Sequence, residues 1–477
     1  MDTKRTAVIL GVGASGKTAL RFLASRGWRV CAADTRTNPP GLEELKKEIR
    51  ALEYVGTDLN ERLIDKTDLV VISPGLSPEY SSFAPFIRAA KDKGIEVVGE
   101  IELFARELIC LRHFRGYRPK IIAITGTNGK TTTTMLCAHI VEEAAKSVCF
   151  AGNVGPNALG ELDRLLKENK LPEYWVLELS SFQLETTSSL HCDSAALLNV
   201  TEDHLDWHGS MEKYAAAKRK IFSEDTVRVL NREDPLSMLS AEGVDRSLVR
   251  TFGADEPKAL GEYGISTVGA IEWLCACQDS VKPTLMIPVN ALRIRGRHNA
   301  MNALAASALT AAAGIDEAAI LRALRDYKGE PHRVQLMLSS SGIDYVDDSK
   351  GTNVGATAAA LKGFGRGKVV IILGGDGKGQ DFAPLKEAIA EHAKAAVFIG
   401  RDAAQIEKAV DTPELKKAHA KNMEEAVRLC RGFAQAGDTI LLSPACASWD
   451  MFKDYADRSR QFVVAAEEIA REEGQLC

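Results

Sequence analysis

No stretch of this sequence reaches the ~18 consecutive apolar residues that a membrane-crossing helix needs. Nor does it carry surplus positive charge: 60 Lys and Arg stand against 65 Asp and Glu, a net charge of -5. Proteins that grip a dense polyanion usually show a basic footprint, so nucleic acid is not an expected partner. No two of the ten cysteines form a C-x-x-C pair, and the closest two, Cys275 and Cys277, have no histidine cluster beside them. That argues against a zinc ribbon or a thioredoxin-type motif and for reduced thiols in a cytoplasmic protein. The opening residues, Met1-Asp2-Thr3-Lys4-Arg5, lack the long apolar core of a signal peptide. Internal repeats and low-complexity tracts are also missing.

What is present is material for several cores. Apolar residues make up 45% of 477, a length that suggests two to four domains. Three apolar runs each meet a Gly-rich turn: Thr6 to Leu10 before Gly11–Gly16, Ile121 to Ile124 before Gly126–Gly129, and Val369 to Leu373 before Gly374–Gly379. Each predicts strand, turn and helix. Unbroken Val/Ile runs are typical of strands covered on both faces of a parallel sheet, so the expected class is α/β. A helix is expected from Glu100 to Ile109, followed by an aperiodic basic linker, Leu111 to Pro119. Proline forbids a helix from continuing past about Pro331. Domains are therefore expected at 1–99, 100–329 and 330–477, with a peripheral β region at 256–288.

Two loops compete for phosphate. The pattern G-x-x-x-x-G-K-[ST] occurs literally only at Gly11 to Thr18. A phosphate cradle, however, needs backbone amides at a helix N-terminus, a lysine for the phosphates and a hydroxyl for Mg²⁺. Gly126, Thr127, Asn128, Gly129, Lys130, Thr131 and Thr132 offer all of these and are the expected ATP loop. The first loop also reads G-x-G-x-x-G, with Asp34 ending the next strand, which is the fingerprint of a Rossmann-like nucleotide half-site. Two loops predict two nucleotides, one of them part of the second substrate.

The Thr125–Thr132 loop resembles that of the Mur ligase family, which also includes folylpolyglutamate synthases. Further stretches resemble the same family in the same order: Ala151–Gly155, Leu177–Leu184, Asn199–Asp206, Lys218, Gly296–Asn302 and Pro331–Arg333. In the last third, Asp347–Asn353, Gly374–Lys378 and Leu442–Asp450 resemble its D-glutamate-adding members. The resemblance implies three domains: a Rossmann-like N-terminal domain for a UDP-sugar, a central P-loop domain with a mainly parallel sheet, and a C-terminal Rossmann-like domain for an amino acid. It implies ATP, Mg²⁺ (two ions), and UDP-N-acetylmuramoyl-L-alanine and D-glutamate as substrates, joined through an acyl phosphate in cytoplasmic peptidoglycan precursor synthesis by a monomer.

Several side chains acquire expected roles. Lys130 suits the phosphates and Thr131 a Mg²⁺. Glu178 ends a strand, where ligands of open α/β sheets gather; a capping carboxylate is the bland alternative, and the resemblance makes it a Mg²⁺ ligand. His204 stands in an acidic turn and, by the resemblance, serves metal and substrate carboxylate. Lys218 reads as a solvated helix lysine, but its family counterpart carries a CO₂-derived carbamate that ligates Mg²⁺. Asn153 is expected at the reacting end of the UDP-sugar or at the γ-phosphate. Asn299 and Asn302 suit the adenine or cap a helix, and Arg333 and Asp348 are expected at ATP. Lys350, Thr352, Ser448 and Tyr455 would grip D-glutamate, because two carboxylates need cationic and hydroxyl donors; Lys378 would do the same or be solvated. Ala14, Ser15, Asp34, Thr35, Arg36 and Ser73 are expected at the UDP moiety. Lys130, Glu178, His204, Lys218 and Lys350 are the expected catalytic set. Rival readings are another amide ligase of the family, an NAD-dependent oxidoreductase using Gly11 to Asp34, or a non-catalytic nucleotide-binding module.

Overall fold

The computed structural model describes residues 5–278, 280–294, 296–377 and 380–475, with Glu61 and Asp206 described by backbone alone. The chain forms two compact units. One comprises the chain up to Ser266 with Leu274–Met286 and Leu304–Ala323; the other comprises Thr267–Trp273, Ile287–Ala303 and the chain from Leu324 on.

The first sheet has five parallel strands in the spatial order Glu53–Gly56, Arg29–Ala33, Thr6–Leu10, Leu69–Ile72, Glu96–Val98. Ala7 through Leu10 are fully buried, as expected of a central strand covered on both faces. The turn into helix Ala14–Ser25 needs Gly16, because a Cβ there would sit 1.9 Å from the Gly11 carbonyl oxygen.

The second sheet has nine strands in the order Thr284–Pro288, Ile271–Ala276, Glu262–Val268, Val249–Phe252, Val227–Asn231, Ser194–Leu197, Lys120–Thr125, Tyr174–Glu178, Val148–Gly152. From Val249–Phe252 to Val148–Gly152 every neighbouring pair is parallel. Ile124 lies opposite Glu178, and Thr125 opposite Leu197. The register thus brings the carboxyl ends of three strands side by side, which is where an open parallel sheet binds ligands. The expected β region at 256–288 forms this sheet's edge. The expected linker does not exist as such: the helix runs Glu100–Arg115 and closes on a left-handed Gly116. Leu111 is buried in the core below it, so one apolar anchor outweighs the basic, aperiodic local sequence.

The third sheet has six strands in the order Gln335–Ser340, Ile343–Asp347, Thr439–Leu442, Val369–Gly374, Ala393–Ile399, Lys416–His419. Its first pair is antiparallel and the rest are parallel. Among the described residues the third Gly-rich turn opens no helix directly; Asp376 bridges to Ala447 and the next described helix is Leu385–His392. Among the described residues no helix is long and apolar enough to cross a membrane.

Candidate active site

The loop between strand Lys120–Thr125 and helix Lys130–Glu143 is pinned to the neighbouring strand end. Thr127 N donates to Asn199 O (2.9 Å), Asn128 N to Asn199 Oδ1 (2.8 Å), and Asn199 Nδ2 back to Asn128 O (3.1 Å). The Thr127 hydroxyl lies 3.1 Å from the Tyr214 hydroxyl. Beyond this fixed turn, the first amides of the helix have no acceptor within it and are an anion site in waiting. Thr131 and Thr132 stand in that first turn, Thr131 buried.

Lys130 Nζ donates to the Gly126 and Thr127 carbonyls at 2.9 and 2.8 Å. Lys218, from helix Met211–Arg219, is buried rather than solvated and donates to the same Gly126 carbonyl at 2.8 Å. Its Nζ also sits 4.6 Å from the centre of the Tyr214 ring. Burial first, and the Lys130 charge second, push its pKa well below the ordinary lysine range; Asp203 opposes them. The solvated-helix reading of Lys218 is therefore corrected: it lies on the helix face it shares with Tyr214 and Ala215, and that face is buried.

Glu178 is buried at the end of strand Tyr174–Glu178. Its Oε1 accepts from Asn153 Nδ2 (2.8 Å), and Asn153 N donates to the Glu178 carbonyl (2.8 Å). Its Oε2 has no hydrogen-bond partner among the described residues, a costly state for a buried carboxylate oxygen. Gly152 has φ +115°, and a Cβ there would lie 2.3 Å from Glu178 O. His204 takes a left-handed backbone (φ 54°), with Nε2 3.3 Å from Asp203 Oδ2 and its ring edge-on to Phe182 at 4.7 Å. Among the described residues no three His, Cys, Asp or Glu side chains form a ready metal cage.

Ala14, Ser15, Asp34, Thr35, Arg36 and Ser73 all line one cavity of about 340 Å³ at the carboxyl ends of the first sheet. Asp34 accepts from Val12 N (2.7 Å) and from Arg36 Nε and Nη2 (both 2.8 Å). The Arg36 bonds, reinforced by the Val12 and Arg36 amides, lower its pKa to about 2 against the pull of burial. Lys17 points away, donating to Pro40 O at 3.3 Å, so the literal G-x-x-x-x-G-K-T match does not put its lysine in this cavity.

In the other unit, loops 348–353 and 443–450 leave adjacent strand ends, with Asp347 opposite Leu442. Asp348 is buried, accepts from Ser443 Oγ (2.6 Å) and Val334 N (3.3 Å), and is pushed up to about 7, chiefly by burial. Arg333 has a buried Nε with no partner among the described residues. Lys350 Nζ sits 5.7 Å from the centre of the half-exposed Tyr455 ring. Thr352 N donates to Lys350 O (3.0 Å), and Ser448 is buried. Asn302 Nδ2 donates to Asn299 Oδ1 at 3.2 Å, both side chains buried on helix Arg297–Ala312. Lys378 lies outside the described residues.

Three family profiles match in chain order: "Mur ligase MurD-like, N-terminal domain" over residues 5–99, "Mur ligase middle domain" over 124–310 and "Mur ligase, glutamate ligase domain" over 332–446. The chain belongs to the Mur ligase family. It is 47% identical to the UDP-N-acetylmuramoylalanine–D-glutamate ligase of Paraburkholderia xenovorans over 99% of this chain and 98% of that one. It is 45% identical to the protein of the same name from Bordetella avium, over 98% and 97%. Among solved structures, a UDP-N-acetylmuramate–alanine ligase from Thermotoga maritima shares the fold at TM-score 0.55 and 20% identity, over 98% of this chain and 99% of that one. As a Mur ligase the chain is an ATP-dependent amide ligase, and the family implies ATP and Mg²⁺.

Sequence reading missed several residues of this Mur ligase site. Asn199 and Tyr214 build the loop's support, and the Phe182–Trp207–His208 ring cluster packs beside His204. Asn199 lay within a stretch already matched to the family; Tyr214 had no local signal, since only the fold brings it to Thr127. Arg458, fully buried on helix Tyr455–Glu472, had been given no role.

Proposed function

We propose that this chain joins the amine of D-glutamate to the L-alanyl carboxylate of UDP-N-acetylmuramoyl-L-alanine, releasing ADP and phosphate, in peptidoglycan precursor synthesis. The observation that carries the chemistry is the convergence of Lys130 and Lys218 on one carbonyl, Gly126 O, where the phosphate loop is fixed. A carboxylate is a poor electrophile. Attack on the γ-phosphate of ATP turns it into an acyl phosphate, from which an amine expels phosphate. The protein's task is to position converging anions and to neutralise them. Lys130 and the first-turn amides from Gly129 to Thr132 suit the phosphates, with Thr127 and Asn128 shaping the loop.

Mg²⁺ fits the residues present. Glu178 offers a buried oxygen without a partner among the described residues, and Thr131 a hydroxyl. Lacking a ready cage, Mg²⁺ would be held largely by phosphate oxygens and water, as it prefers. It supplies charge neutralisation of the transferring phosphoryl group. Two ions are the fuller reading, with His204 and a carbamate on Lys218 completing the set. Two ammonium groups at one carbonyl repel, so a buried Lys218 favours the free amine. That amine is the form that reacts with CO₂, and the resulting carbamate anion would relieve the repulsion.

The remaining assignments are proposals of the same kind. Residues 1–99 take the UDP-sugar through Ala14, Ser15, Asp34, Thr35, Arg36 and Ser73, with Asn153 and His204 at its reacting end. Residues 100–329 take ATP, with Asn299 and Asn302 at the adenine and Arg333 and Asp348 added from residues 330–477. Lys350, Thr352, Ser448 and Tyr455 take D-glutamate. The deciding experiment supplies ATP, Mg²⁺ and the UDP-sugar, then measures phosphate release with a panel of amino acids. D-Glutamate alone should stimulate release. Stimulation by L-alanine or a diamino acid in its place would overturn the reading.

A further inference from the structure

Helix Tyr455–Glu472 carries a cation for which the roles above have no use. Arg458 is fully buried, yet the hydrogen bonds of its guanidinium among the described residues all go to neutral acceptors. Nε donates to Ser349 Oγ (2.9 Å), Nη2 to Ser349 O (2.7 Å) and Nη1 to Cys446 O (3.0 Å). Burial is the largest influence and draws its pKa down to about 10, opposed by Cys446 and by the acids Asp450, Asp347 and Asp348. A buried charge persists only where its donors are used, and here Nε, Nη1 and Nη2 each donate to one of two loops.

Those loops are 348–353 and 443–450, which leave adjacent strands. They carry Lys350, Thr352 and Ser448. They are tied again where Ala445 N donates to Gly351 O (3.0 Å), and Ser349 Oγ donates to Tyr455 O (2.7 Å). Tyr455 stands three residues before Arg458, hence on the same helix face. One planar fork therefore ties together, from beneath, the two loops and the helix start that carry every described side chain assigned to the amino-acid substrate.

We propose that Arg458 is a positioning residue for the amino-acid substrate: its guanidinium clamps the Ser349 and Cys446 loops at the separation that a short dicarboxylate amino acid requires. The proposal rests on the D-glutamate reading of the same loops. Asp348, assigned to ATP, has its own tie across the same two loops at the strand ends, Ser443 Oγ, and a further one from Val334 N, so it keeps these bonds when the fork is lost and the clamp bears chiefly on one substrate. Lysine keeps the charge but not the fork, and cannot make three bonds in this fixed geometry.

The test is steady-state phosphate release by the full chain, varying each substrate in turn. Arg458→Lys should raise KM for D-glutamate about tenfold or more, with KM for ATP and the UDP-sugar unchanged within about twofold. Ser349→Ala, which removes one of the three bonds, should raise the D-glutamate KM by a smaller factor, about two- to fivefold. A D-glutamate KM within twofold of wild type in Arg458→Lys would overturn the proposal. So would a parallel rise of all three KM values with a lower Tm, which is the signature of a merely structural residue. If Arg458→Lys does not fold, Ser349→Ala decides alone, and an unchanged D-glutamate KM sinks the clamp. Failure of the D-glutamate reading is separate: the wild-type chain itself would then show no D-glutamate-stimulated release.

Discussion

Gly126 O accepts from both Lys130 Nζ and Lys218 Nζ, at 2.9 and 2.8 Å. Lys218 is the buried member of the pair, and its pKa is the one driven down. If its role is to become an anion, a truncated side chain should be replaceable by a small diffusible one. Lys218→Ala should lose about two orders of magnitude or more in kcat, the scale of losing one preorganised electrostatic group. Added formate or acetate should restore part of the loss, and Lys218→Arg should not be rescued. Full activity of Lys218→Ala would remove the lysine from the mechanism. A second residue-scale case is Glu100, a buried carboxyl pushed up to about 7 by desolvation, although Leu159 N donates to it at 2.5 Å. With its folded pKa above the unfolded 4.5, the protonated form is the stable one. Its favourable contribution is complete below about pH 4.5 and is lost as pH rises through about 7. That interval corresponds to roughly 3 kcal/mol. Glu100→Gln, which keeps an acceptor oxygen and no charge, should therefore raise Tm at pH 8 and change it little at pH 5. An equal effect at both pH values would refute the buried-acid account.

At the scale of elements, parallel strands deliver the central site. Strands Lys120–Thr125, Tyr174–Glu178 and Ser194–Leu197 end level with one another, so the phosphate loop, Glu178 and Asn199 meet without long-range design. Gly152 shows how tight that junction is. Alanine there would combine a positive φ with a Cβ 2.3 Å from the Glu178 carbonyl. Such strain costs on the order of 1–3 kcal/mol before the clash is relieved. Gly152→Ala should thus lower Tm by several degrees and reduce kcat more than the UDP-sugar KM, because it displaces Glu178 and Asn153. A variant with wild-type kcat would mean that this junction yields freely. The apolar runs and Gly turns made these elements legible: unbroken Val/Ile strands, the turn into the helix at Lys130 and Thr131, and the shared cavity of Ala14 to Ser73 all follow from local pattern. Elements fixed by tertiary contact were illegible. The tail of the Glu100–Arg115 helix looked like a linker because its sequence is basic while Leu111 alone anchors it. Lys218 looked solvated, and Arg458 drew no notice, because nothing local records that the faces they stand on are buried.

At the scale of the whole molecule, a chain of net charge -5 is assigned three anionic substrates. Attraction must therefore come from local groups, and each nucleotide should depend on its own. The cavity at Arg36 and the loop at Lys130 belong to different sheets of the same compact unit. Arg36 is half-exposed and, among the described residues, its side chain pairs with Asp34, so its removal should leave the unit folded. A ligand at about a hundredfold its Kd stabilises the state that binds it by about 2.7 kcal/mol. Applied separately, UDP and Mg²⁺-ATP should each raise Tm of the wild-type chain. Arg36→Ala should lose most of the UDP shift and keep the ATP shift, and Lys130→Ala should show the reverse. This crossed pattern would separate two nucleotide sites by their own side chains. Loss of both shifts in either variant would mean that the nucleotides share one site, and the division of labour between the two Gly-rich loops would be wrong.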